Sequence, residues 1–396
     1  MRNFIKSLPL LLFVFLLFLY EQATMFSGDV VDNSGGFNFN YYLLGVVVLA
    51  LACIFLINRQ TCYESFSKSF LTAGILAYVI SLIGTASYPF GNMGQYILII
   101  APFMFLPAMY KYALKSDFKD STYFIFFAAA AVALAAYFFT NYRTNILYDV
   151  EHQSNSAYSV MYFFPFLLCI KKPILRIALI VMAFAAVLFS LKRGGFIAMI
   201  LALGVYVVIS QFLIKKRKLN FRGILVLALA IVAVVWGIVK VNMTTDDLLL
   251  GRMDSIAETG GSGRTDIWVT VIGMILDSNP FNLLLGRGWY SVLTNAPFHM
   301  TAHNDFLEVI YDFGLITFFF YIKMWIGLVK YCKKLIKQAS PYAAPFGASI
   351  AMLLIQSMVA HVFIYSRYLM LFALFWGLVM ALEQKRINQL ENTSAL

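Results

Sequence analysis

Thr301-Ala302-His303-Asn304-Asp305-Phe306-Leu307-Glu308 runs without a break into Val309-Ile310-Tyr311-Asp312-Phe313-Gly314-Leu315-Ile316-Thr317-Phe318-Phe319-Phe320. An imidazole, an amide and three carboxylates therefore stand at the mouth of a run apolar enough to cross a bilayer. Asn304 is a good helix N-cap, because its amide oxygen can accept from the amides that a first turn leaves open, and Asp305 falls where the helix dipole favours an anion. On that reading His303 sits just before the helix and faces the polar loop. Glu308 and Asp312 are four residues apart and share a helix face, where carboxyls inside a membrane are costly unless they face protein. They are expected to be structural partners for buried donors, with Glu308 the fallback for a catalytic base.

The rest of the chain is of one kind with that apolar run. Of 396 residues 61% are hydrophobic and 12% charged, and the mean hydropathy is +0.80, far outside the soluble globular range. The apolar runs are continuous and lack the period-2 alternation of outer-membrane strands, so helices are indicated. They begin near Leu8, Tyr41, Ser69, Tyr96, Thr122, Ala157, Ile174, Gly194, Gly223, Asp305, Ala343 and Tyr368. The expected architecture is an all-α polytopic membrane protein of about 12 transmembrane helices, a single membrane domain with both termini on one side. The first run is read as a span and not a signal peptide, because no clean cleavage site follows it.

Charge sets the orientation. The segments Arg59 to Lys68, Lys111 to Lys119, Lys171 to Arg176, Lys215 to Arg222 and Lys330 to Lys337, with the two termini, hold 21 of the 30 Lys and Arg. The positive-inside rule makes that side cytoplasmic, the tail 384–396 included. The net charge of +11 is therefore mostly topology signal and does not call for nucleic acid. All four cysteines map to the inner half of the membrane or the cytoplasmic side, so no outer disulfide is expected.

Several cations break the rule by falling on the outer side: Arg143, Lys192, Arg193, Arg252, Arg264, Arg287 and Arg367. All four histidines, His152, His299, His303 and His361, fall there too. Leu191-Lys192-Arg193-Gly194-Gly195 puts two cations beside glycines at a helix start, a plausible anion cradle. Residues 242–304 form the one long outer loop, between the ninth and tenth spans, and are too many for a structureless connector. Within it Gly263-Arg264-Thr265-Asp266 leads into Ile267, Trp268, Val271, Ile272 and Ile275. That spacing predicts an amphipathic helix on the membrane surface or against the spans, ended by Asp277-Ser278-Asn279-Pro280. In Leu285-Gly286-Arg287-Gly288-Trp289, two glycines set a tight loop that aims an arginine.

Arginines suit phosphate because the guanidinium fork donates two parallel charge-assisted hydrogen bonds. A neutral imidazole nearby can take a proton from an attacking hydroxyl. Together these groups describe transfer from a lipid diphosphate at the outer membrane surface, the diphosphate leaving. The chain has no Asp-x-Asp pair, no His-x3-His zinc helix, no Gly-x-Ser-x-Gly elbow and no Walker loop.

The order Lys192-Arg193-Gly194-Gly195, Gly263-Arg264-Thr265-Asp266-Ile267-Trp268, Asn279-Pro280, Leu285-Gly286-Arg287-Gly288, His303-Asn304-x-x-Leu307 and Gly314 resembles the O-antigen ligase and polymerase superfamily. The resemblance implies a multi-span glycosyltransferase of the C-type fold class that takes glycans from undecaprenyl diphosphate, with no metal or other cofactor. By position it implies His303 as the catalytic base and Arg193 and Arg264 as ligands of the diphosphate. Lys192 and Arg287 are added to that set from charge and geometry, Arg287 departing from the commoner pattern of a small or apolar residue between the glycines. Asn304, Glu308, Asp312 and Gly194 are expected to support the site.

The expected reaction is an inverting transfer to a saccharide hydroxyl at the outer face of the bacterial inner membrane. In a repeat-unit polymerase the acceptor is another lipid-linked unit, with a chain-length regulator as a possible partner. In a ligase it is lipid A core or a protein. A transporter or flippase of lipid-linked glycans is the competing class, but such proteins tend to place polar groups near the midplane in matched halves, whereas here the cations cluster at one face.

Overall fold

The structure, a computed structural model, describes residues 64–84, 93–145, 157–190, 193–216, 264–364 and 366–394. The runs expected near Leu8, Tyr41 and Gly223, and the loop up to Gly263, lie outside the described residues. What is described is helical, with no strand among those residues. In chain order the helices are α1 (Ser65–Gly84), α2 (Met93–Lys115), α3 (Asp120–Asn145), α4 (Ala157–Leu168), α5 (Pro173–Phe189) and α6 (Arg193–Val207), which runs on into a π-helical turn over Val208–Ile214. Then come α7 (Arg264–Leu276), α8 (Pro280–Leu285), α9 (Ser291–Asn295), α10 (Asp305–Lys337), α11 (Ala343–Val359) and α12 (Ser366–Ser394).

Five of these stretches are long and apolar enough to cross a membrane: Ser65–Gly84, Asp120–Thr140, Gly194–Ile214, Asp305–Lys337 and Tyr368–Thr393. Large apolar side chains stay exposed along them, Ile75, Val79 and Ile83 on α1, Ile125 and Val132 on α3, Phe319, Ile326 and Val329 on α10. A lipid-facing surface needs such a stripe, because every backbone polar group is already satisfied within the helix and the side chains meet hydrocarbon. This is a multi-pass membrane protein.

The bundle closes on α12, which lies along α2, while α10 lies along α1 and α11 along α6. Trp376 of α12 is fully buried among Phe66, Phe70 and Phe372, and its indole N–H donates to Ser349 Oγ at 3.1 Å. That bond answers the polar handle which a buried tryptophan brings into an apolar core.

At one end of the bundle the Lys-rich segments meet. Lys334 Nζ pairs with Glu64 at 2.7 Å, and Arg386 grips the buried Glu383 carboxylate with bonds of 2.6 and 3.0 Å. Glu383 also accepts from Ser340 Oγ at 2.7 Å, and the Tyr342 hydroxyl donates to Asp120 at 2.5 Å. Burial first, and then the carboxylate it donates to, push the Tyr342 phenol well above its usual range, which keeps it a neutral donor.

At the other end the described part of the long loop, 264–304, folds into α7, α8 and α9 over the start of α10. The expected helix after Gly263 is there, and it ends where the Asp277-Ser278-Asn279-Pro280 run predicts: Asn279 caps α8 by accepting from Asn282 N at 2.8 Å. The inner face of α7 packs Val271, Ile267, Met274 and Ile275 with Ala302, Val292 and Tyr311. Its outer face is apolar as well, with Val269, Ile272 and Leu276 exposed and Phe281 and Leu284 continuing the patch on α8.

Candidate active site

The site is built on the kinked start of α10. Asn304 caps it as its sequence predicts, its Oδ1 accepting from Phe306 N at 3.0 Å and Leu307 N at 3.3 Å. The helix then breaks at Gly314, whose backbone is left-handed with φ 74°. A side chain there would collide with the Leu284 carbonyl oxygen and the Gly286 nitrogen, so the kink is the seat into which the α8 loop docks. The Asp312 carbonyl at the break accepts from Arg287 N at 2.8 Å and Gly288 N at 2.7 Å. Backbone polarity left over by the kink is thereby satisfied within protein, as it must be at membrane depth.

The three carboxylates of this turn are fully buried, and each faces backbone. Asp312 accepts from Val292 N at 2.9 Å and Tyr290 N at 3.0 Å, which holds the first turn of α9. Glu308 accepts from Ala302 N at 2.5 Å, the residue before His303. Asp305 accepts from Phe363 N at 3.0 Å, across on the connection between α11 and α12. Hydrogen bonds of this kind contribute roughly 0.5–1.5 kcal/mol each, and losing one leaves a buried amide unsatisfied at a cost of about 1–3 kcal/mol. These contacts make Glu308 and Asp312 anchors of the loops around the site.

His303 is half-buried and its backbone is left-handed, φ 49°. A non-glycine residue in that region costs on the order of 1–2 kcal/mol and persists only where its surroundings hold it there. They do so from both sides: the Trp268 indole N–H donates to Ala302 O at 2.9 Å, and Asn304 Nδ2 reaches Met358 O at 3.4 Å. The imidazole stacks on that of His361, with 4.7 Å between centroids and 29° between planes, and His361 Nδ1 lies 3.0 Å from Thr301 Oγ1.

Five contacts and one longer-range electrostatic interaction then close a ring of elements. The first turn of α6 is tied to α11 by Gln356 Nε2, which donates to Gly194 O at 3.0 Å. The far end of α11 is tied to the His303 loop through Met358 and His361, and that loop to α7 through Trp268. Arg264, the first residue of α7, lies within electrostatic range of Tyr158 of α4. Tyr158 in turn lies against Gly195 in the first turn of α6. The starts of α6 and α7, which carry Arg193 and Arg264, and the His303 loop thus border the same region. Among the described residues Arg264 makes no hydrogen bond or ion pair.

Other residues singled out from the sequence fall differently. Lys192, His152 and the side chains of Arg143, Arg193 and Arg367 lie outside what is described. Arg287 is engaged within the loop: its guanidinium donates to Ser278 Oγ at 2.8 Å and lies 4.2 Å above the Tyr311 ring. Gly286 and Gly288 flank it with φ 81° and 106°, the tight turn that their spacing predicts. Residues not singled out also border the ring. Tyr158 stacks on Tyr162, which stacks on Tyr368 at 4.5 Å, and the Tyr162 hydroxyl donates to Gln356 Oε1 at 3.4 Å. A glutamine inside the otherwise apolar run of α11 is the sequence signal for that network, since a polar group at membrane depth is expensive unless it has partners.

Residues 178–322 match the model of the family described as O-Antigen ligase, a span that contains Arg193, Arg264, His303, Glu308 and Asp312 and stops short of His361. None of the curated proteins searched matches the chain. The matched segment is thus similar to the O-antigen ligase family, lies in a multi-pass helical protein and covers the start of α10 with its anchored loops.

Proposed function

We propose that the protein is an inverting membrane glycosyltransferase that moves a glycan from undecaprenyl diphosphate to a saccharide hydroxyl at the outer face of the inner membrane. The observation that carries this reading is the ring just described, which brings a strained, half-buried histidine and an arginine at a helix start, unengaged among the described residues, into one region. His303 takes the proton of the acceptor hydroxyl as its oxygen attacks the anomeric carbon. The bond from that carbon to the diphosphate oxygen breaks on the opposite face, and the diphosphate leaves with the electron pair. Arg264, with Arg193 at the start of α6, meets the charge that develops there through forked hydrogen bonds, and the open amides at the two helix starts add to the field. The products are the new glycoside, undecaprenyl diphosphate and a proton left on His303.

The Lys-rich end of the bundle supports an orientation with that end in the cytoplasm and the ring outside. Polymerization of lipid-linked repeat units is the favoured form of the reaction, on the prior that polymerases are widespread in surface-polysaccharide assembly. Transfer to lipid A core or protein uses the same groups.

The test is transfer by the purified full chain with lipid-linked oligosaccharide extracted from cells lacking the protein. His303→Ala is expected to lower turnover by about 10²–10⁴-fold, the range general-base catalysis contributes, at unchanged protein yield. Glycans lengthened or transferred by that variant at the native rate refute the assignment.

A further inference from the structure

The first turn of α10 holds two separate loops at once. Glu308 fixes Ala302, next to His303, and Asp305 fixes Phe363, two residues beyond His361. Both carboxylates are fully buried, and the bond from Asn304 to Met358 O ties the two segments a third time. The distance between the loops is therefore set chiefly by the two buried carboxyls on the helix. The rings the loops carry lie 4.7 Å apart at an angle of 29°, within the range where offset aromatic rings attract. His361 is further pinned by Thr301, itself buried and two residues before His303. Thr301, His361 and His303 thus form a chain of contacts that begins and ends on one loop and passes through the other.

A general base must present a ring nitrogen to the acceptor hydroxyl, and a misplacement of about 1 Å costs about 10²-fold in rate. The backbone of His303 is clamped on both sides, so the aim of the base depends on what its ring packs against, and His361 is stacked on that ring. We infer that His361 is a positioning residue, whose ring, held by Thr301, sets the plane of the His303 imidazole for attack on the donor. The inference rests on His303 being the base. His361 lies beyond residues 178–322, so the matched segment does not include it.

The test compares three substitutions in the purified full chain, assayed with the lipid-linked oligosaccharide extract. His361→Ala is expected to lower kcat by roughly 30–100-fold, the cost of a misaimed base, with KM changed less than about twofold. His361→Phe keeps a ring that can stack and is expected to recover most of that loss. His361→Gln keeps a partner for Thr301 but no ring, and is expected not to recover it. Native kcat in His361→Ala overturns the role, as does rescue by Gln without rescue by Phe, or a rise in KM at constant kcat, which marks a substrate contact. Where a His361 variant fails to fold, Thr301→Val, nearly isosteric, tests the same chain of contacts: kcat falls severalfold if Thr301 pins the ring, and an unchanged kcat overturns the role. His303→Ala runs alongside. If it retains transfer, the base assignment itself fails; if it is inactive while His361→Ala turns over at the native rate, only the positioning role fails.

Discussion

The two ends of the bundle handle acidic side chains in opposite ways. At the Lys-rich end charge meets charge: Glu383 binds Arg386, and Glu64 binds Lys334. At the His303 end the carboxylates meet backbone: Asp305, Glu308 and Asp312 take amides from three loops and engage no arginine among the described residues. The consequence is a division of labour. Cations at the first end are spent on the fold, whereas at the second the carboxyls build the walls and Arg264 makes no hydrogen bond or ion pair among the described residues. A site that binds a diphosphate needs that separation, since an arginine neutralised within the protein must first give up its partner.

Arg264 gives the sharpest test of the contrast. Arg264→Ala is expected to reduce transfer by about 10²–10³-fold, comparable to removing a donor aimed at developing charge, while thermal stability stays within about 0.5 kcal/mol of native. Arg264→Lys keeps the charge and loses the fork, so partial activity is expected. A large loss of stability in Arg264→Ala with modest loss of transfer breaks the comparison, because it makes this arginine part of the fold.

Gly314→Ala comes next and acts on the walls. The substitution puts a side chain at φ 74° against the Leu284 carbonyl, so both strain and collision oppose it. A loss on the order of 2–4 kcal/mol is expected, with α8 displaced from its seat. Limited proteolysis between α7 and α9 reads the displacement directly, and native resistance there shows that the kink is not what seats the loop.

Glu308 separates anchor from base. Glu308→Gln keeps an oxygen that can accept from Ala302 N, so stability and transfer within a few-fold of native are expected. Glu308→Ala leaves that buried amide without its acceptor, for which about 1–3 kcal/mol is expected, together with lower turnover from a loosened His303 loop. Should Glu308→Gln abolish transfer in folded protein, the carboxylate and not the imidazole is the base.

Much of this is legible in the sequence, and what is legible follows a rule. Asn304 as cap, the stop at Asn279-Pro280, the tight turn around Arg287 and the structural part of Glu308 and Asp312 all rest on local chemistry within a turn or two of chain. The stacking of His361 on His303 and the bond from Gln356 to Gly194 join residues 58 and 162 positions apart, and no spacing rule reaches that far. Arg287 shows the limit from the other side. Its charge and flanking glycines mark it as aimed, which it is, but the target is the Ser278 hydroxyl and the Tyr311 ring, and no local pattern distinguishes an internal target from a ligand.

The smallest effect belongs to the opposite end, and its smallness is the point. Lys334 and Glu64 form a close pair at 2.7 Å, but their side chains are 49% and 32% exposed. A pair that shares water on both sides is screened, so Lys334→Ala is expected to change stability by about 0.5 kcal/mol or less, and the change should shrink further as salt rises. Transfer should not respond, because nothing at that end borders the His303 ring. Lowered turnover in Lys334→Ala at native stability erases the contrast between the ends, since it requires charge at the Lys-rich end to reach the site through the length of α10. The helix is poorly suited to carry such a signal: Gly314 breaks it between the two ends, and the loop seated in that break is bonded to the His303 side.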